Sequence, residues 1–228
     1  MFVFYVAVVA ALVLGPQVLA KRATPPPTTC TGALAHATTN DMSVPSGAIC
    51  RVSSSTVNGS VTVAAGAYFE ASATRIYGNI QATGALTVFL HDGTYVSGSM
   101  LVDTTSQFFL YKTTIAGAVR ITNAMAPGFG HVQVCDSTLG QVEIRGSGPD
   151  ILVGDPNGGC PGNTVQKNLV VSGNTALSEI QISGNHVVGS LTVTGNSGPA
   201  AKRVTSNVVQ GAVDVSNNAL PIVAENNP

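Results

Sequence analysis

Val57-Asn58-Gly59-Ser60-Val61-Thr62-Val63 decides the fold, because it returns. The order apolar, any, Gly, small or polar, apolar, any, apolar recurs at Ile76-Tyr77-Gly78-Asn79-Ile80-Gln81-Ala82 and Val96-Ser97-Gly98-Ser99-Met100-Leu101-Val102. It recurs again at Ile115-Ala116-Gly117-Ala118-Val119-Arg120-Ile121, Val187-Val188-Gly189-Ser190-Leu191-Thr192-Val193 and Val209-Gln210-Gly211-Ala212-Val213-Asp214-Val215. Two copies are degenerate: Thr138-Leu139-Gly140-Gln141-Val142-Glu143-Ile144, and Val165-Gln166-Lys167-Asn168-Leu169-Val170-Val171, where Lys167 takes the Gly place. From Gly59 the steps are 19, 20, 19, 23, 27, 22 and 22 residues. Apolar residues alternating with polar ones specify strands. Short strands at a fixed period of about 20 residues specify a solenoid. Such a period is too short for a strand–helix–strand crossover, which needs about 30 residues, and suits one turn of a β-helix.

A second strand falls between copies: Tyr68-Phe69, Val88-Phe89-Leu90, Phe108-Phe109-Leu110, Val132-Gln133-Val134, Ile151-Leu152-Val153 and Ile180-Gln181-Ile182. Turns recur as Gly47-Ala48, Gly66-Ala67 and Gly84-Ala85. Asn163, Asn185 and Asn207 are 22 apart, as are Asn174, Asn196 and Asn218, so stacked coils place each set in a column. Asn tolerates turn geometry and its amide bonds to the Asn above and below, which predicts two Asn ladders at corners. Three inward columns follow: Val57, Ile76, Val96, Ile115, Val165, Val187, Val209; then Val61, Ile80, Met100, Val119, Val142, Leu169, Leu191, Val213; then Val63, Ala82, Val102, Ile121, Ile144, Val171, Val193, Val215. The expected fold is all-β: a single-stranded parallel β-helix of about eight to nine coils.

The strand and the Asn turns, over about residues 40 to 218, resemble the right-handed parallel β-helix of the pectate-lyase-like group and of many secreted proteins. The resemblance implies right-handed winding. The left-handed alternative uses a strict six-residue repeat, and that hexad is not evident. An enzyme of the group implies a carboxylate cluster holding calcium and an Arg base, or close Asp residues serving as acid and base or nucleophile.

Outward from the repeat, the first 20 residues are expected to be a secretory signal peptide: an apolar run from Phe2 to Leu14, a break at Gly15-Pro16, and the small-residue pattern Val18-Leu19-Ala20. Residues 21–29 are expected to be a Pro-rich linker, and 30–228 the β-helix domain with a disulfide-stapled N-terminal cap. Cys30, Cys50, Cys135 and Cys160 form an even set in an extracellular context. Of three possible pairings, Cys30–Cys50 and Cys135–Cys160 each close a loop of about one repeat. No cysteine spacing suits a metal. Charged residues are only 9% and net charge is −1, which excludes a nucleic-acid binder with a basic face and a disordered chain.

Aligned second strands bring Asp92, Lys112, Asp136 and Asp155 near one corner, with His91 beside them. Asp92, Asp136 and Asp155 are the candidate catalytic set, and Lys112 and His91 candidate binding residues. A solvated charged ladder is the plainer expectation. No metal site or cofactor is expected, except calcium under the lyase reading. Arg120 and Glu143 should be cross-strand neighbours. Of Tyr68, Phe69, Phe89, Phe108, Phe109 and Tyr111, those inside stack in the core, and an exposed row would offer a sugar-stacking platform. Core stacking is the favoured expectation. Gly146 to Pro161 is an insertion and the expected place for a ligand loop. Asn58-Gly59-Ser60 is a glycosylation sequon, but inside a strand it is not expected to be used.

The function expected is that of a secreted, non-enzymatic solenoid binding or building a surface, with glycan or cell wall as partner and no nucleic acid or membrane. The first alternative is a polysaccharide lyase or glycoside hydrolase. The second is end-to-end self-association into filaments, against a monomer.

Overall fold

The computed structural model describes residues 25–125, 130–199, 201–219 and 222–225. The expected signal peptide, the first residues of the linker and the chain's last residues lie outside these. The described chain is a parallel β-solenoid of about 9 turns. One sheet holds ten strands, among them Ile49–Ser53, Tyr68–Ser72, Thr87–His91, Gln107–Tyr111 and His131–Cys135. We call its outer side the broad face. The repeat strands form the second sheet, and all named pairings are parallel. Thr28–Thr29 already pairs with Met42 and Ser43, inside the stretch expected to be linker. Among the described residues no helix is long and apolar enough to cross a membrane.

The expected single repeat strand is broken at its glycine. Thr56–Val57 ends, Asn58-Gly59-Ser60 turns, and Val61–Val63 begins. The two pieces form a short ladder and a third ladder, so each coil has three sides. The glycine is needed because the coil before lies too close. A Cβ at Gly78 would meet the Gly59 carbonyl oxygen at 2.6 Å, and one at Gly98 the Gly78 oxygen at 2.6 Å. The small or polar residue after each glycine also has a task. Asp41 Oδ1 accepts the Ser60 amide, Ser60 Oγ that of Asn79, Asn79 Oδ1 that of Ser99, and Ser99 Oγ that of Ala118. In two coils the turn straightens, giving Thr114–Thr122 and Thr138–Arg145, whose register slips between Ile115 and Ala118. Leu139 pairs with Ile115 and Val165, so it occupies the first inward column from which the sequence alignment left it out.

The inward columns are closed by burial. Val57, Ile76, Val96, Ile115, Leu139, Val165 and Val187 are at most 1% exposed. The broad sheet adds Phe69, Val88, Phe108, Val132, Ile151 and Ile180. A fully buried Phe or Ile contributes about 1.5–3 kcal/mol over an exposed one, and stacking gives each coil two apolar neighbours. Lys202 follows Ile180 in this column, 2% exposed, its ammonium donating to the Gly198 carbonyl at 3.3 Å.

Both Asn ladders form. Asn163 Nδ2 donates to Asn185 Oδ1 at 2.9 Å and to the Val134 carbonyl, and Asn185 repeats the pattern onto Asn207 and Val153. Asn174, Asn196 and Asn218 do the same at the other corner. Disulfides join Cys30 to Cys50 and Cys135 to Cys160, with Cα separations of 5.5 and 5.0 Å.

Candidate functional site

Strand alternation decides which aromatic side chains leave the core. Phe69 and Phe108 point inward and are fully buried. Tyr68, Phe89, Phe109 and Tyr111 point to the broad face and are half-buried. The register Arg51, Glu70, Phe89, Phe109, Gln133 runs through successive coils. Neighbouring coils are roughly 4.8 Å apart, so these side chains form a continuous strip. The row is therefore split between the two sides of the sheet, as strand alternation predicts, and the favoured core stack is confined to Phe69 and Phe108. Phe89 and Phe109 meet edge to face, centroids 5.8 Å apart, and Phe89 stacks on His91 at 4.3 Å. A depression of about 180 Å³ lies among Phe89, Phe109, Tyr111 and Gln133.

A polar network borders the strip. Glu70 accepts from Tyr68 at 2.8 Å, from Arg51 at 3.1 Å, and meets His91 Nε2 at 3.2 Å. His91 Nδ1 meets Asp92 at 2.8 Å, and Ser72 donates to Asp92 at 3.2 Å. Burial pushes the Glu70 carboxyl up, but the bonds from Tyr68, His91 and Arg51 outweigh it and hold the group below the usual range. Asp92 is also held low, first by its bond to His91, then by Ser72 and, at longer range, by Lys112. Arg51 lies over the Tyr68 ring and Lys112 over Tyr111, at 5.3 and 5.2 Å. Burial and the Glu70 bond raise the Tyr68 phenol.

The predicted corner is partly assembled. Asp92, Lys112 and Asp136 each adopt positive φ, 53°, 51° and 48°, at the turn leaving the broad sheet. The Lys112 amide donates to the Cys135 carbonyl, just before Asp136, which places these two on adjacent coils. Asp136 donates likewise to Pro161, so Gly162 takes the next place in that column. Asp155 stands instead in the inserted loop, its backbone paired with Cys160. The loop packs on the turn after Glu179–Ser183: Pro156 lies so close to Gly184 that a Cβ there would meet its Cγ at 2.5 Å. No group of three or more His, Cys, Asp or Glu side chains is arranged to hold a metal among the described residues. Arg120 and Glu143 are paired at 3.2 Å, as expected, and Glu143 also pairs with Arg145.

The sequence reading missed Arg51, Tyr68, Glu70 and Ser72 as polar partners. Arg51 and Glu70 are 19 apart, one repeat, and that spacing was the available signal. Comparison with known proteins adds no identity: no family model matches the chain, and no curated protein or solved structure does either.

Proposed function

We propose that the protein is an extracellular, non-catalytic binding module that takes an uncharged polysaccharide along the broad face. One observation carries this reading: Tyr68, Phe89, Phe109 and Tyr111 stand outside a sheet whose pairing holds them rigid. A pyranose presents an apolar C–H face that stacks on such rings, while its hydroxyls need donors and acceptors at the ring margins. Arg51, Glu70, His91, Asp92 and Gln133 supply both. The formal charges are matched within the strip, Arg51 by Glu70 and Lys112 by Asp92. That balance favours a neutral chain over a polyuronate.

The catalytic alternative has weaker support. A glycosidase needs one carboxyl raised so that it stays protonated as the acid. Glu70 and Asp92 are both held low. Asp136 and the loop residue Asp155 are the remaining members of the predicted set. End-to-end assembly draws on Val213, whose inward column ends in the last coil with the side chain 44% exposed.

The deciding experiment incubates the protein with neutral, anionic and cationic polysaccharides, with and without calcium, and scores co-sedimentation and chain cleavage. Binding of a neutral glycan without cleavage, weakened at least about tenfold by Phe89→Ala or Phe109→Ala, is expected. Cleavage overturns the non-catalytic reading and points to Asp92, Asp136 and Asp155. No binding removes the glycan reading. Sedimentation of the free protein at rising concentration tests the assembly reading, which a monomer throughout removes.

A further inference from the structure

The break in the repeat strand changes the standing of one residue. Asn58 is exposed on the turn between Thr56–Val57 and Val61–Val63, not inside a strand. Its backbone amide is used, donating to the Thr39 carbonyl. Its side chain makes no hydrogen bond among the described residues. This sets it apart from the other corner asparagines. Asn163, Asn174, Asn185 and Asn196 build the ladders, and Asn79 and Asn168 accept the amides of Ser99 and Ser190. The fold does not call for an amide at this place, since successive coils put Tyr77, Ser97 and Ala116 there.

Asn58-Gly59-Ser60 is a sequon with a small middle residue. Tyr77 takes the same place one coil on, roughly 4.8 Å away, and is 49% exposed. Its ring offers an apolar surface beside the Asn58 amide. Two disulfides fit an oxidising compartment, where N-glycosylation also occurs.

We propose that Asn58 is an N-glycosylation site and that its first sugar lies on Tyr77. The donor is a lipid-linked oligosaccharide pyrophosphate of a secretory membrane. A bond forms between Asn58 Nδ2 and C1 of the first sugar while the C1–O bond to pyrophosphate breaks. The leaving lipid pyrophosphate keeps the electron pair, and Nδ2 gives up one proton. The turn joins the short and third ladders, so the glycan leaves the broad face open.

The test is expression of the full chain in a eukaryotic secretory host, followed by intact-mass measurement before and after amidase release of N-glycans in heavy-oxygen water. The label separates release from deamidation at Asn58-Gly59 that preceded it, and an amidase-free incubation in the same water measures deamidation during the step. The expected result is one glycan's mass, lost on release with Asn58 becoming Asp, absent in Asn58→Gln and retained in Ser60→Thr. Release should lower the melting temperature of the wild type and leave that of Tyr77→Ala unchanged. A secreted chain without the added mass overturns the proposal, and so does added mass that survives Asn58→Gln. A chain held unmodified in the cytosol overturns it too, because Asn58 never meets the donor. A release that shifts both melting temperatures equally removes the Tyr77 contact.

Discussion

The first coils and the last coils solve the same corner with different chemistry. Where the broad sheet turns into the short ladder, the early coils place Ser55, Thr74, Thr94, Thr113 and Ser137, and the later ones Asn163, Asn185 and Asn207. Each hydroxyl faces backbone carbonyls with one hydrogen to give: Thr94 Oγ1 is placed to donate to Ala71 or His91, and Thr113 Oγ1 to Leu90 or Tyr111. Each Asn adds a second donor, so its side chain reaches both a carbonyl of the coil before and the Asn of the coil after. At the other corner the change goes with length. The early coils turn in Ala64-Ala65-Gly66-Ala67, whereas the later ones need Ser172 to Ser178, with buried Asn174 filling the wider bend. A wider turn has more backbone amides and carbonyls to satisfy, and a carboxamide satisfies more of them than a hydroxyl or a methyl does.

The sharpest way to break this comparison is to remove one rung from each half. Asn185→Ala strips the acceptor of the Asn163 amide and the donor to Val153 in a residue 1% exposed. At about 1–3 kcal/mol for each orphaned buried group, a loss of about 4 kcal/mol is expected. Ser137→Ala orphans chiefly the Thr113 amide, and about 1–2 kcal/mol is expected. Urea unfolding compares them, and equal losses would void the distinction. The junction between halves is the next target. Cys135 and Cys160 close a 25-residue span between the last hydroxyl rung and the first Asn rung. Replacing both by Ser should cost about 3 kcal/mol, with hydrogen exchange rising first in the neighbouring coils.

A smaller effect tests the glycine corner. Gly98→Ala puts a Cβ 2.6 Å from the Gly78 carbonyl oxygen and should cost about 2 kcal/mol. Lys167→Gly, at a corner that already bears a side chain, should change stability by less than about 0.5 kcal/mol. Thermal melts of the two variants would show it.

The smallest expected effect is acid sensitivity. Among the described residues, the carboxyls displaced downward are Glu70, Asp92 and Asp103, all in the early half. A depressed folded value means the group stabilises the fold above the ordinary carboxylate range of about pH 4. That contribution is lost as pH falls through the depressed value. Exchange protection of the early coils should therefore fall before that of the later coils, and Glu70→Gln should flatten part of the difference. Coils that lose protection together would refute it.

Much of this was legible in residue order. A stacked coil repeats its inward positions at its own length, so the 19- to 27-residue steps, the 22-residue Asn spacing and the one-repeat spacing of the favoured cysteine pairs were visible without coordinates. Leu139 escaped because its coil lacks one residue at the glycine turn, which shifts the alignment. The partners of His91 escaped for another reason. Arg51, Glu70 and Asp92 belong to successive coils and form no local motif, and only lateral stacking joins them.

By itself, then, the sequence determined the class, the period, most of the inward columns and the Asn ladders, since each follows from periodic burial along the chain, and it favoured one of three cysteine pairings. Only the tertiary structure decided that the repeat strand breaks at Asn58-Gly59-Ser60, that Phe89 and Phe109 face outward together, and that Glu70 and Asp92 hold His91 between them. Those features depend on the lateral distance and offset between coils. That offset is set by packing of side chains far apart in sequence, and no single repeat contains it.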